Sequence, residues 1–554
     1  MREIVTIQVG EFANFVGSHF WNFQDELLGL ASDPESDPIF RNNDLNMDVL
    51  YRSGETQQGV STYTPRLLSI NFKGSLGSMS SHGTLYNEGS SSRSDSSKTW
   101  FGAVDTQRSE PRKRNLFQQS LYEEEVQAGE IEDKDIVGCL DEGVECWTDF
   151  SKSHYHPQSL YELSGLWMDS QDFNNYGIGK DVFSEASRGE EICDRLRFFV
   201  EECDHIQGIN FLVDDSGGFS ALAGDFLETM ADDYTNIPVL LYSLRSHQTN
   251  SSKKKTVSNK LHDAISFSRL SSFCKLFTPI GLPSLSRSNK YLNLGDEKPY
   301  RSSGVYAAAL HSSTLPFRMQ QHTSLDSSEA SNAMDVNTLV QLLTNRGRQN
   351  IVAILDSAMP AGKLLEKTLL TDLQTLTPEV TEDVEDNQSV ESMCVLGALS
   401  SEDKEATVSE VRNAVDASYE QKDDTTKPLF CNLSVSRCPL PVPLPFPSIF
   451  GNLVGRKGEI LSSPVSDSPY RGSLDVHSVP VATRWRSSSA VLPFLESRMV
   501  NLEKLGIQWG AMGSDVVREW GFGREELQEM RENLFKMVSE LRSPHQFSES
   551  EDSD

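Results

Sequence analysis

The sequence contains no run of about 18 apolar residues, the length a transmembrane helix needs. It has no CxxC pair among its eight cysteines, at positions 139, 146, 193, 203, 274, 394, 431 and 438. Cys139 and Cys146, with His154 and His156 nearby, are the only approach to a zinc set, and their spacing is poor for one. Reduced thiols are therefore expected. Bases are scarce: 50 Lys and Arg stand against 81 Asp and Glu, a net charge of −31. A chain this acidic is repelled by nucleic acid and by anionic lipid, so no direct nucleic-acid contact is expected. The N-terminus is neither Arg-rich nor amphipathic-helical and has no signal-peptide pattern, so any attachment to an organelle is expected to be peripheral and through a partner. No nucleophile elbow, Walker loop or paired-carboxylate motif supports an unrelated hydrolase or transferase.

What is present is a patchwork. The 554 residues suffice for several domains, but 37% hydrophobic content and a mean hydropathy of −0.42 leave much of the chain for loops. Ile4 to Val9 is an apolar, β-branched run, expected as a buried first strand. Gly10 ends it, and Phe12, Phe15, Val16, His19 and Phe20 then fall on one helical face. A strand, a glycine turn and a helix start are where α/β folds meet phosphates, because free helix N–H groups point at the ligand.

This opening, through Asn14 and Gly17 to Phe20-Trp21, resembles the start of tubulin. A second segment, Tyr63 to Gly74, is similar to the tubulin strand that ends Asp-Leu-Glu-Pro-Gly. A third, Asp172 to Gly177 and Glu202 to Ser220, is similar to the tubulin Asn-Asn-aromatic, Cys-Asp-x-Leu-Gln-Gly-Phe and glycine-rich phosphate-loop segments. The resemblance makes Gly10, Asn14, Asn174, Asn175, Gly217 and Gly218 the candidate, vestigial nucleotide site.

Each loop also departs from tubulin. Glu11-Phe12-Ala13 replaces Gln-Cys-Gly, which puts a carboxylate where a phosphate would sit and an aromatic ring where a base would. Asn71 and Lys73 replace two acids that in tubulin face the magnesium and the terminal phosphate, and lysine cannot ligate Mg²⁺. Asp214 and Asp215 precede the surviving glycines, and Phe219 adds bulk where backbone must approach a ligand closely. The Gly-x-x-Asn-x-Asp loop that completes hydrolysis in tubulin-type enzymes is missing. No enzymatic activity and no cofactor are therefore expected, with GTP disfavoured.

Damaged nucleotide loops inside an intact apolar pattern identify the chain as a member of the Misato family, tubulin-like proteins with a linker inserted in the tubulin half. The resemblance implies an α/β, tubulin-like fold: a Rossmann-type nucleotide-binding domain plus a second α/β domain, with long disordered insertions. It also implies a role in mitochondrial distribution and morphology, organelle partitioning and mitochondrial DNA inheritance. Alternatively, it implies a cytosolic factor that assists tubulin or spindle microtubule assembly and retains weak GTP binding. The implied partners are proteins: tubulin, a chaperonin or a mitochondrial surface protein. The implied location is the cytoplasm and the outer face of mitochondria.

The expected organisation is a tubulin-like segment over residues 1–75, a low-complexity insertion over 76–144 and a tubulin-like continuation over 145–370. An acidic disordered insertion over 371–428 follows, then a C-terminal α/β segment over 429–545 and an acidic tail over 546–554. One long helix is expected between Gly177 and Glu202, and further helices over Ala221–Tyr234, Val257–Leu270 and Met334–Arg346. Pro238–Ser243 and Ile351–Leu355 read as strands. The alternating prolines at 439, 441, 443, 445 and 447 force an extended chain, an edge strand or an exposed docking segment. Leu527, Met530, Leu534, Met537, Val538 and Leu541 form the stripe of an amphipathic helix from Gly523 to Leu541.

Overall fold

A computed structural model describes residues 2–55, 59, 61–80, 98–99, 102–103, 112–122, 131–163, 173, 175–185, 187–246, 256–281, 291–294, 298–320, 333–346, 349–362, 370–381, 384–400, 404–421 and 426–542. The acidic tail and the Lys253–Lys255 run lie outside these residues.

The N-terminal half builds a six-stranded sheet. Its elements are β1 (Glu3–Val9), α1 (Glu11–Ser32), β2 (Leu67–Phe72), β3 (Leu160–Leu163), α2 (Tyr176–Ser184), α3 (Arg188–Glu201), β4 (Ile206–Asp214), α4 (Gly218–Asp233), β5 (Val239–Arg245), α5 (Val257–Ser272) and β6 (Leu276–Gly281). The strand order is β6-β5-β4-β1-β2-β3, and every pairing is parallel. Strands covered on both faces are rich in apolar residues, and β1, β2 and β6 are buried at every position, with Glu3, Thr6, Gln8, Ser69, Asn71 and Thr278 buried among the apolar side chains. The order reverses between β1 and β4, so a crevice opens beyond their C-terminal ends, the usual place for a ligand in such sheets.

The second half adds α6 (Pro299–Thr314), α7 (Val336–Asn345), β7 (Ile354–Ala358), β8 (Gln374–Thr375), β9 (Val390–Leu396), α8 (Val408–Glu420), β10 (Phe430–Ser436), β11 (Val481–Ser487), α9 (Leu492–Leu502) and α10 (Arg524–Leu541). Its five strands run β8-β7-β11-β9-β10 and are mixed in direction. One apolar cluster joins α1 and α6 to the inner faces of both sheets through Phe15, Trp21, Phe23, Tyr306, Leu355 and Trp485. Another fills the far side of the first sheet. There Val5, Ile7 and Val9 meet α4, α5, α9 and α10.

Four expectations change. The stretch 371–428 is not a disordered insertion: it supplies β9 at the heart of the second sheet and α8, which starts with a Thr407–Glu410 capping box. Among its described acids, Asp372, Glu379, Glu385, Asp386 and Glu405 lie outside β9 and α8, and averaging charge over the whole stretch hid the apolar run Met393–Leu396. Within 76–144, the helices Leu116–Tyr122 and Asp133–Gly143 bury Phe117, Ile136 and Leu140 in the first cluster. The helix expected between Gly177 and Glu202 breaks between Ser184 and Arg188 into α2 and α3. Of the two readings of the proline run, the exposed docking segment is the one that fails: Leu440–Pro441 forms a short strand paired with Ser478–Val479, and Val442 and Phe446 are core. The C-terminal helix does carry its predicted stripe, and it lies against α9 and α5.

A buried charge network pins the second sheet. Asp356 on β7 accepts from Arg484 at 2.9 Å and from Arg486 at 2.6 and 3.0 Å, both on β11. Arg484 also lies 3.4 Å from Glu391 on β9. Burial pushes the Asp356 carboxyl up, but the two guanidiniums outweigh it and hold it below the ordinary range. Asp356→Ala would leave two guanidiniums short of their counter-ion, and breaking a buried pair costs about 3–5 kcal/mol. The denaturant midpoint is expected to fall accordingly, while Arg518→Ala, in the exposed pair with Asp515, should leave it unchanged.

Candidate functional site

The crevice at the switch point is built from three turns. Gly10 leaves β1 with φ of 106° and starts α1 without a side-chain cap of its own. A Cβ at this position would stand 2.5 Å from the Asp214 side chain, so both the backbone angle and the space demand glycine. The first N–H groups of α1 have no partner inside the helix. Asp214, at the end of β4, meets them: its Oδ2 accepts from Phe12 N at 3.0 Å and its Oδ1 from Ala13 N at 2.7 Å. A carboxylate of the protein thus occupies the helix N-terminus that a phosphate would use. Burial pushes the Asp214 carboxyl up to about 8; the N–H groups of Phe12 and Ala13 pull against that, and Glu11 and Asp215 add to the rise.

Asp215 is also engaged. Arg245, at the end of β5, donates to it through Nε at 2.8 Å and a terminal nitrogen at 2.9 Å, and reaches Asp263 on α5 at 2.8 Å. Ser243 donates to the same carboxylate at 3.0 Å. This arginine is half-buried and its charge is reinforced by both acids. Nothing at the motif level marked Arg245, although a lone arginine closing a buried strand beside an acidic pair is the available hint.

The glycine-rich turn opens α4. Gly217 has φ of 72°, and its carbonyl accepts from His262 Nε2 at 3.0 Å and from Ser220 Oγ at 2.9 Å. Ser220 lies 3.0 Å from the same imidazole nitrogen. Because that nitrogen already serves the carbonyl, Ser220 and His262 cap a turn and do not form a nucleophile–base pair. Phe219, Phe72 and Phe173 close over this turn with ring centroids 4.7 to 5.0 Å apart. A Cβ on Gly218 would strike the Phe173 ring at 2.6 Å.

The candidate residues do converge, apart from Asn174, which lies outside the described residues. Their side chains serve the fold. Asn14 donates to the carbonyls of Gly10 at 2.7 Å and Ile70 at 3.3 Å and accepts from Ser69 at 2.7 Å, tying α1 to β1 and β2. Asn175 caps α2 through Gly177 N at 2.9 Å. Asn71 is buried and bonds its neighbour Phe72 N, while Lys73 is exposed. Tyr176 and His262, which sequence reasoning passed over, are covered by Trp520; Phe522 also packs on Tyr176. The residues present do not fit a magnesium–triphosphate: the helix donors are taken by Asp214, aromatic rings fill the phosphate turn, and no acid stands at 71 or 73. Among the described residues no group of three His, Cys, Asp or Glu could hold a metal, and the eight cysteines are free thiols.

The Asp214 carboxyl gives a pH signature. Its folded pKa lies above the unfolded value of about 3.9, so its contribution to stability is complete at low pH and is lost as pH rises through about 8. Between pH 6 and pH 9 the wild-type unfolding midpoint is expected to drop more than that of Asp214→Asn. Equal slopes would mean the carboxyl is ionised throughout.

The relatives of the chain agree with this architecture. A Misato Segment II tubulin-like domain matches residues 2–123, and a tubulin domain matches residues 139–319. Protein misato homolog 1 of Mus musculus is 30% identical over 68% of this chain and 68% of its own. The Danio rerio protein of the same name is 27% identical over 100% of this chain and 99% of its own. Protein DML1 of Gibberella zeae is 30% identical over 65% and 68%. On fold and sequence together, the chain belongs to the Misato family of tubulin-like proteins.

Proposed function

We propose that this protein is a non-enzymatic, tubulin-like scaffold that acts in mitochondrial distribution, organelle partitioning and mitochondrial DNA inheritance. The observation that carries the non-enzymatic part is Asp214 on the N-terminus of α1, whose carboxyl oxygens take the N–H groups that a triphosphate would need. A triphosphate would have to displace this carboxyl from its two N–H donors and leave its oxygens buried without partners, which costs about 1–3 kcal/mol. The cellular part rests on family membership, read with the net charge of −31 and with the absence, among the described residues, of any helix long and apolar enough to cross a membrane. It acts through protein partners, from the cytoplasm and the outer face of the mitochondrion.

Calorimetric titration of the full chain with Mg·GTP is expected to give no micromolar binding, and steady-state assays no turnover above background. Micromolar affinity would overturn the reading that Asp214 closes the nucleotide crevice, and turnover abolished by Asn175→Ala would overturn the non-enzymatic one.

Cell fractionation tests the location. Protein that sediments with mitochondria and is removed by protease without opening the organelle is the expected result. Recovery only in the soluble pool with tubulin would favour the tubulin-assembly role, and protection inside the matrix would refute both.

A further inference from the structure

A second cleft lies at the other end of α1, about 22 Å along the helix from Glu11 at 1.5 Å per residue. Its volume is about 740 Å³, within the range of ligand sites. It runs between the two halves of the molecule. Glu26 and Leu30 of α1 and the short helix Pro38–Arg41 form one wall; the turn after β9, the residues after β10 and the segments around Arg456 and His477 form the other. Leu30 and Ile39 are half-buried, and with Phe40, Leu399 and Val442 they give the cleft an apolar floor.

The rim is cationic in a chain that is otherwise strongly acidic. Lys404, Arg437, Arg456 and Lys457 line it, and all four are exposed. The three acids of the lining are engaged. Glu26 is held by Lys152 at 2.5 Å, Asp37 lies 3.5 Å from Lys457, and Glu405 lies 3.5 Å from Arg437. The last two pairs are loose and exposed, so their cations can turn to a stronger anion. Arg456 has no ion-pair partner among the described residues. Arg456 and Lys457 are presented by a tight turn: Gly458 N donates to Gly455 O at 3.1 Å, Gly455 N to Glu459 O at 2.8 Å, and Gly458 has φ of 76°.

The lining does not suit a bare phosphate. The helix start at Pro38 is already capped, Ile39 N donating to Asp37 at 3.1 Å, and the cations come from three separate segments around an apolar floor. We propose that this cleft binds an acidic peptide segment bearing apolar side chains, its carboxylates meeting Lys404, Arg437, Arg456 and Lys457 and its apolar groups lying on Leu30 and Ile39. This site is independent of the nucleotide cradle and of the reading drawn from it.

Fluorescence anisotropy of a labelled Glu-Glu-Leu-Glu-Glu-Phe-Glu-Glu peptide, titrated with the full chain, tests the proposal. Saturable binding is expected, weaker at 300 than at 50 mM salt, and weaker still for an all-glutamate peptide of equal length. Arg456→Glu with Lys457→Glu should lower affinity at least tenfold, and Arg437→Glu should do so independently. These side chains are exposed, and an unchanged unfolding midpoint verifies that the variants fold. The proposal is overturned by absence of saturable binding, by binding indifferent to both sets of charge reversals, or by full displacement with millimolar inorganic phosphate.

Discussion

A helix N-terminus at the buried C-terminal end of a sheet's central strands carries N–H groups that must find acceptors, and here the acceptor is Asp214. The contact joins the end of β4 to the start of α1 and fixes what surrounds it. Gly10 must be glycine because the carboxylate stands in the space of its Cβ. Asn14, one turn on, fastens the same helix to Gly10, Ile70 and Ser69. Arg245 gathers Asp215 and Asp263 beside it, which ties β5 and α5 to the same corner. A corner built this way meets the first N–H groups of α1 and the Arg245 guanidinium with acceptors of its own.

The two halves of the chain are held by different means. The first sheet is parallel and covered on both faces, so its register follows from apolar packing. The second is mixed, and its middle strands carry Asp356, Glu391, Arg484 and Arg486 in one network. Such a network tolerates only the register that pairs every member, because a partly paired one is costly. Helices α9 and α10 then return from the second half to pack behind the first sheet. The C-terminal segment also seats Trp520 and Phe522 on Tyr176. The chain's end therefore covers the flank of the crevice that its beginning opened.

Much of this was legible in the sequence, and what was not has physical causes. β1, α1 and the stripe of α10 declare themselves because their apolar patterning is strong, even though α1 also buries Asn14, His19, Asn22 and Gln24 against polar partners. The candidate residues Gly10, Asn14, Gly217 and Gly218 were found through spacing, yet spacing could not reveal what their side chains bind. Asp214 and Asp215 read as two charges hostile to a phosphate. The fold gives them opposite tasks, one as a helix cap and one as the counter-ion of an arginine 30 residues away. The stretch 371–428 misled because net charge is a property of a window, whereas β9 is set by seven residues within it. Of the two readings of the proline run, the strand survives in the short Leu440–Pro441 pairing, and the exposed docking segment fails because Leu440, Val442 and Phe446 between the prolines are core.

A nucleotide site works as a switch only if its occupant can leave. The cap on α1 is part of the chain and is held by two backbone N–H groups at 3.0 and 2.7 Å, so it cannot exchange with solvent as a phosphate does. On the proposed reading, the ends of β1, β2 and β4 have one arrangement where a nucleotide-dependent relative would have two. A two-state element needs differential binding to drive it, and a ligand with no preference between states shifts nothing. Control over such a molecule must then enter where groups can still rearrange. The loose, exposed pairs Asp37–Lys457 and Glu405–Arg437 around the interdomain cleft meet that requirement, and the pairs at the crevice, largely covered and short, do not.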